Sequence, residues 1–168
     1  MMQIGILSDT HGYLDEAVFH HFAHCDELWH AGDFGNTELI TRLQDFKPLR
    51  GVWGNIDGAA IRQSFPEWLR WKCEEIDVLM THIGGYPGRY APGVRKKLHP
   101  HPPKLFISGH SHILKLMFDE SLQCLHINPG AAGREGWHKM RTVVRLKIDG
   151  SRMYDCEVIE LGRRGALP

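Results

Sequence analysis

Short apolar runs recur along this chain, and each one stops at a polar cluster. Gln3, Ile4, Gly5, Ile6 and Leu7 read as a buried strand that ends at Ser8-Asp9-Thr10-His11. Residues 27–30 end at Gly32-Asp33, and residues 49–53 at Gly54-Asn55. Residues 76–80 end at Thr81-His82, and residues 105–107 at Ser108-Gly109-His110. Helical spacing lies between the early runs. Leu14, Val18 and Phe22 recur at intervals of four, with Phe19 and Ala23 beside them. Asn36 is placed to cap a second helix that carries Leu39, Ile40, Leu43 and Phe46 on one face. Strands alternating with helices predict a mostly parallel sheet covered on both faces. Ligands of such sheets collect beyond the carboxyl ends of the strands, which is where the polar clusters fall. The last third changes character. Residues 114–118 and 124–127 flank Asp119-Glu120-Ser121, and residues 142–148 and 153–159 flank Asp149-Gly150. Both read as antiparallel hairpins. Residues 84–103, rich in Gly, Pro and basic side chains, read as a long functional loop with one helical turn around 94–98.

Composition narrows the classes. The length, 168 residues, suits one domain spanning 1–168. Twenty basic side chains balance twenty acidic ones, which argues against a general nucleic-acid binder or a binder of anionic membranes. No segment approaches transmembrane length, and nothing resembles a signal peptide, so a cytoplasmic setting is expected. Cys25, Cys73, Cys124 and Cys156 are too dispersed for a zinc ribbon or a redox motif and read as core or surface thiols. The unusual count is histidine, 12 in all.

Histidine turns attention to the strand ends. The clusters there are S-D-T-H at 8–11, A-G-D-F at 31–34, G-N-I-D at 54–57, M-T-H-I-G at 80–84 and G-H-S-H at 109–112. Together they offer two carboxylates, one amide oxygen and four imidazoles. Nitrogen and oxygen donors without thiolate suit manganese, iron, zinc or nickel rather than calcium or magnesium. A carboxylate between two such ions can bridge them, and ions roughly 3.5–4 Å apart can hold a shared hydroxide for in-line attack on phosphorus. Singly, Asp9 reads as a turn residue and His82 as a satisfied core histidine. Five clusters in order at successive strand ends form a far more specific signal.

This series resembles the calcineurin-like metallophosphoesterase superfamily, and within it the compact bacterial and archaeal phosphodiesterases related to the small subunit of retromer. The resemblance runs from residue 2 to about residue 159. It implies an α/β fold in which a two-sheet β-sandwich is flanked by helices, with a parallel-rich N-terminal part and an antiparallel C-terminal part. It also implies two divalent metal ions, manganese before nickel, iron or zinc. Asp9, His11, Asp33 and His112 would hold one ion, and Asp33, Asn55, His82 and His110 the other. Asp33, Asn55 and His82 would take part in the chemistry. The implied activity is hydrolysis of a small or nucleotide phosphodiester by a metal-bridged hydroxide. A phosphomonoesterase or nuclease on the same site is the alternative, and a non-catalytic protein-binding scaffold is the competitor from another class. The expected partner is a small phosphorylated substrate, and a homodimer is left open. One position departs from the superfamily: many members carry His after the Asn of the third motif, whereas this chain has Ile56. Losing a positioned general acid costs about 10²–10⁴ in rate. His99 and His101 could supply the proton by location, but read better as exposed loop histidines.

Other features receive plainer readings. His30 is equally a hydrogen-bond partner of a ligand or a plain strand-end residue. Arg95-Lys96-Lys97 reads as a solvated basic turn. Arg89 and Tyr90 could shape a cleft. His20, His21 and His24 should face solvent. Trp29, Trp53, Trp68, Trp71 and Trp137 read as core or interface. Asn128-Pro129-Gly130-Ala131 is similar to a family segment and reads as a structural turn beside the site.

Overall fold

The structure, a computed structural model, describes residues 1–165. In chain order its elements begin with β1 (Met2–Leu7), α1 (Ala17–His21), β2 (Glu27–His30), α2 (Thr37–Phe46), β3 (Leu49–Gly51) and α3 (Ala59–Ser64). The middle holds β4 (Trp68–Cys73), β5 (Ile76–Thr81), β6 (Gly85–Tyr86), β7 (Arg89–Tyr90), α4 (Val94–Leu98) and β8 (Leu105–Ile107). Two hairpins close the chain: β9 (Lys115–Asp119) with β10 (Cys124–Asn128), and β11 (Met140–Asp149) with β12 (Arg152–Arg163).

Two five-stranded sheets form, with strand orders β12-β11-β1-β2-β3 and β4-β5-β8-β10-β9. In the first, β1, β2 and β3 run parallel, while β11 joins β1 antiparallel. In the second, β5, β8 and β10 run parallel between the antiparallel edges β4 and β9. The strand-helix alternation predicted one mostly parallel sheet; there are two mixed ones. The pairing explains why. β1 has β2 on one side and β11 on the other, so the later parallel strands build their own sheet and stack on the first.

Period-two alternation sorts the strand residues between layers. Ile4, Ile6, Trp29 and Val52 meet Val78, Met80, Leu105, Ile107 and Ile127 in the core between the sheets. Leu7 and Leu28 face the other way, onto Val18, Phe22, Leu39, Ile40 and Leu43 of the first two helices. Leu79, Phe106 and Cys124 pack under Val94 and Leu98 of α4. Asn36 caps α2 as its sequence predicts: the side-chain oxygen accepts from the Leu39 amide at 2.8 Å. The helix expected from Leu14 onward is only the five-residue α1, yet Leu14 and Phe22 keep their buried places beside it. Trp29 and Trp71 meet edge to face at 4.8 Å inside the sandwich, whereas Trp137 is 99% exposed and belongs to no core. Cys25, Cys73 and Cys124 are buried free thiols, and Cys156 is exposed. Among the described residues no helix is long and apolar enough to cross a membrane.

Candidate metal centre

The parallel strands of both sheets end along one edge of the sandwich. β1, β2 and β3 deliver Asp9, His11, Asp33 and Asn55 from one sheet; β5 and β8 deliver His82, His110 and His112 from the other. Main-chain bonds stitch these loops together. The Asp9 amide donates to the Gly32 carbonyl at 3.0 Å, His11 to Asp33 at 3.0 Å, and Gly109 to His82 at 2.9 Å. The Gly133 amide, just past the Asn-Pro-Gly-Ala segment, donates to the Asp9 carbonyl at 3.1 Å.

All seven residues predicted as ligands come together. Asp9, His11 and His112 form one group able to hold a cation, and Asp33, His82 and His110 form a second. Asp33 Oδ2 stands between them, 3.2 Å from His11 Nε2 and 3.1 Å from His82 Nε2. Asn55 Oδ1 completes the second group, 3.0 Å from His82 Nε2 and 2.9 Å from His110 Nδ1.

Two histidine tautomers follow from their partners. His82 Nδ1 lies 2.8 Å from the Ala31 carbonyl, which can only accept, so Nδ1 carries the proton. In the neutral ring the Nε2 lone pair then faces Asp33 Oδ2 and Asn55 Oδ1. His138 Nε2 likewise donates to the Gly133 carbonyl at 2.8 Å. Its Nδ1 is therefore an acceptor, and His112 Nδ1, 3.3 Å away, is the donor. That leaves the His112 Nε2 lone pair facing Asp9 Oδ1 at 3.1 Å. Acceptors aimed at acceptors repel unless a cation lies between them. Asp9 Oδ1 and His11 Nε2 are also buried with no hydrogen-bond partner, although such groups are normally paired. The donor set therefore fits divalent metal.

The electrostatics of the metal-free groups agree. Burial alone would raise the Asp9 and Asp33 carboxyls, yet both lie well below the usual carboxylate range because His11, with His112 at Asp9 and His82 at Asp33, stabilises the anions. Asp33 and Asp9 in turn raise His11 to about 9. Burial opposes the same effect at His82, but Asp33 and Asp9 outweigh it and its pKa also rises.

The backbone here is unusual. Asp9, His11, Asp33, His110 and His112 all have positive φ, between 45° and 70°. Each such non-glycine residue costs about 1–3 kcal/mol, and clusters of them occur at functional sites. Two glycines make room: a Cβ on Gly54 would collide with the Asp33 carboxylate, and one on Gly109 with Ser8 and Asp9.

Several supporting residues escaped the sequence reading. Asp57, 3% exposed, accepts from the amides of Gly54 at 2.8 Å, Gly35 at 3.0 Å and Phe34 at 3.2 Å. It ties the Asp33 loop to the Asn55 loop. His138 had no signal at all, because the ring it orients, His112, is 26 residues away. Ser8 donates to Asp9 Oδ2 at 2.6 Å. His30 does not touch a ligand. It accepts from the Gly32 amide at 3.1 Å, contacts the Thr10 hydroxyl at 3.0 Å, and stacks on Phe34 with centroids 3.8 Å apart. Burial lowers its pKa to about 3, so it stays neutral. Asn128 donates to the Gly109 carbonyl at 3.0 Å and to Ser111 at 3.1 Å, steadying the His110–His112 loop. His99 and His101 are exposed.

Comparison with known proteins places this geometry. Residues 2–151 match the model of the calcineurin-like phosphoesterase superfamily domain. A probable metallophosphoesterase of Methanothermobacter thermautotrophicus is 29% identical over 166 residues, covering 96% of this chain and 94% of that one. An archaeal phosphodiesterase structure superimposes with a TM-score of 0.77 at 20% identity, covering 95% of this chain and all of the other. Vps29 of Entamoeba histolytica, solved with Zn²⁺, superimposes with a TM-score of 0.74 at 16% identity, covering 95% of this chain and 99% of that one.

Three outcomes test the site. His138→Leu should weaken Mn²⁺ binding about 10–100-fold, while His138→Gln, which can both accept and donate, should keep most of it. Calorimetric titration reads this, and unchanged affinity in His138→Leu would refute the orienting role. His11 pKa lies above neutrality, and metal needs the deprotonated ring. Mn²⁺ binding at pH 7.5 should therefore release protons, and affinity should climb with pH by about tenfold per unit for each proton displaced. Flat affinity across pH 6.5–8.5 in buffers of different ionisation enthalpy would contradict this. Finally, His110→Gly should match or exceed the parent in metal-free thermal stability, because glycine relieves the positive φ. A clear drop in Tm would show that this backbone is not strained.

Proposed function

The chain belongs to the calcineurin-like phosphoesterase superfamily, and from that premise we propose that it is a dinuclear metal-dependent phosphodiesterase. The observation that carries this reading is Asp33 Oδ2, set 3.2 Å from a ring nitrogen of one donor group and 3.1 Å from a ring nitrogen of the other. Asp9, His11, Asp33 and His112 would hold one ion, and Asp33, Asn55, His82 and His110 the second. When bound, such a pair supplies Lewis acidity and an activated water for in-line displacement at phosphorus.

The remaining duties fall to the chain. The Ile56 amide donates to Asp33 Oδ1 at 3.0 Å, which leaves Oδ2 free for the shared position. The Ala31 carbonyl fixes the His82 tautomer, and His138 fixes that of His112. Asn55 presents a neutral amide beside the position where charge on a phosphoryl oxygen would develop. No titratable side chain occupies position 56, so protonation of the leaving group gains no help there. The activity should therefore favour esters of acidic alcohols or phenols.

Diesters are favoured over monoesters because cavities abut the donor groups on two sides. One is walled by Asn55 and His82, the other by His110. A monoester would leave one of them empty. Manganese is the first metal to test.

Chelator-treated protein should recover turnover of bis-(p-nitrophenyl) phosphate when Mn²⁺ is restored, and should hydrolyse p-nitrophenyl phosphate more slowly. Asp33→Asn should lose about 10³-fold or more, since it removes the shared charge. Absence of turnover with Mn²⁺, Ni²⁺, Fe²⁺ and Zn²⁺ alike would defeat the proposal.

A further inference from the structure

Three proposed ligands are each followed by an isoleucine: Asn55 by Ile56, His82 by Ile83, and His112 by Ile113. All three isoleucines are exposed, at 46%, 45% and 62%. Single exposed apolar residues need no explanation, but a set placed around a cluster of charged groups does.

Apolar residues also line the cavities beside the centre, among polar ones. One, of about 340 Å³, joins Asn55 and His82 to apolar walls from Trp53, Trp68, Ile83 and Val94. The other, of about 210 Å³, runs past His110 between Ile83, Tyr86, Ala91 and Ile113. Ile83 and Ala91 border both, so they divide one cavity from the other. The chain over residues 85–98, which includes β6, β7 and α4, contributes to both walls. Tyr90 anchors it by donating to Asp119 at 2.6 Å.

Several polar groups along these walls are already engaged, while His126 Nε2 in the second cavity is buried without a hydrogen-bond partner. Thr81 donates to the Glu67 carbonyl at 3.0 Å, and Asn128 donates to Ser111 at 3.1 Å. Lys97 lies over the Trp68 ring at 5.3 Å, Lys115 over Tyr86 at 3.5 Å, and Arg62 over Trp53 at 4.1 Å. Each aromatic ring thus has one face covered by a cation. A nucleoside would want several spare donors and acceptors for its sugar and base edge, and beyond His126 and Glu67 these walls offer few. An alkyl or aryl group wants none.

We propose that the substrate is a phosphodiester with apolar ester arms, alkyl or aryl rather than nucleoside, one arm in each cavity and Ile83 between them. This rests on the diesterase reading and adds to it the chemistry of the substituents. His82 and His110 line the cavities themselves, so the substituents of a phosphate held at the donor groups have the cavities on either side of Ile83 to enter.

The test compares three diesters that share a p-nitrophenyl leaving group and carry methyl, hexyl or 5′-thymidyl as the second arm. Their turnover is measured with the Mn²⁺-loaded protein. The hexyl ester should exceed the methyl ester at least tenfold in kcat/KM, mostly through KM, and the thymidyl ester should gain no such advantage. Ile83→Asn and Ile113→Asn should bring the hexyl-to-methyl ratio toward one without loss of bound Mn²⁺. Calorimetry gives a readout independent of turnover. Dihexyl phosphate should bind with a negative heat-capacity change that dimethyl phosphate lacks. Hexyl and methyl esters within twofold of each other, a preference for the thymidyl ester, or equal binding of the two dialkyl phosphates would overturn the inference while leaving the diesterase intact. Binding of dihexyl phosphate without turnover of any diester would overturn the diesterase instead.

Discussion

Two buried carboxylates face ring nitrogens whose lone pairs point back at them, and only positive charge in between makes that arrangement stable. Asp9 is wholly buried, and Asp33 nearly so. Around them the Ala31 carbonyl and His138 turn His82 and His112 so that each neutral ring presents an acceptor toward the carboxylates. Without metal, protons partly fill the gap, which is why His11 and His82 hold theirs more tightly than ordinary histidines. Protons and metal therefore compete for the same positions. The site is a cation trap before it is anything else.

The trap spans the sandwich. Each group of donors draws on both sheets: Asp9 and His11 from one with His112 from the other, and Asp33 and Asn55 from one with His82 and His110 from the other. Bound metal would therefore fasten the sheets together at the edge where the apolar layer between them ends. The backbone strain at five of the donors is sustained by over-determination. Asp57 holds three amides across two loops, Asn128 braces a third loop, and main-chain bonds join β1's loop to the loop after β10.

What could be read in the sequence follows from range. Strand cores, the Asn36 cap and both hairpins depend on neighbours within a few residues, and they appear where the pattern put them. The seven candidate donors could be grouped in the sequence because they lie in five clusters, each just past a strand. The division into two sheets was not, since a central parallel strand looks alike in either; only the resemblance to a family supplied it. β4 was missed because Trp68, Leu69, Arg70 and Trp71 mix apolar and charged residues along an exposed edge. α3 is short and carries one buried side chain, Ile61. Asp57 and His138 were silent for a different reason. Part of their value lies in amides and rings that the fold brings from 22 or more residues away, as Gly35 to Asp57 and His112 to His138. Trp137 was read as core or interface, and its exposure excludes the core.

Position 56 links the chemistry to the surroundings. A histidine there would place a proton donor and a polar group at the mouth of the site. The isoleucine supplies neither, but its main chain still serves, because the amide holds Asp33 Oδ1. The side chain then joins Ile83 and Ile113 in an apolar rim around a polar floor. Such a rim costs little in the folded protein if the groups that flank the scissile phosphate are themselves apolar, and it lowers the local dielectric over the donors when they arrive. Excluding water there strengthens each charge-charge contact at the phosphorus. Absence of a donor and presence of an apolar rim are thus two consequences of one residue, and on the proposed reading such a site would depend less on protonating its leaving group and more on enclosing its substrate.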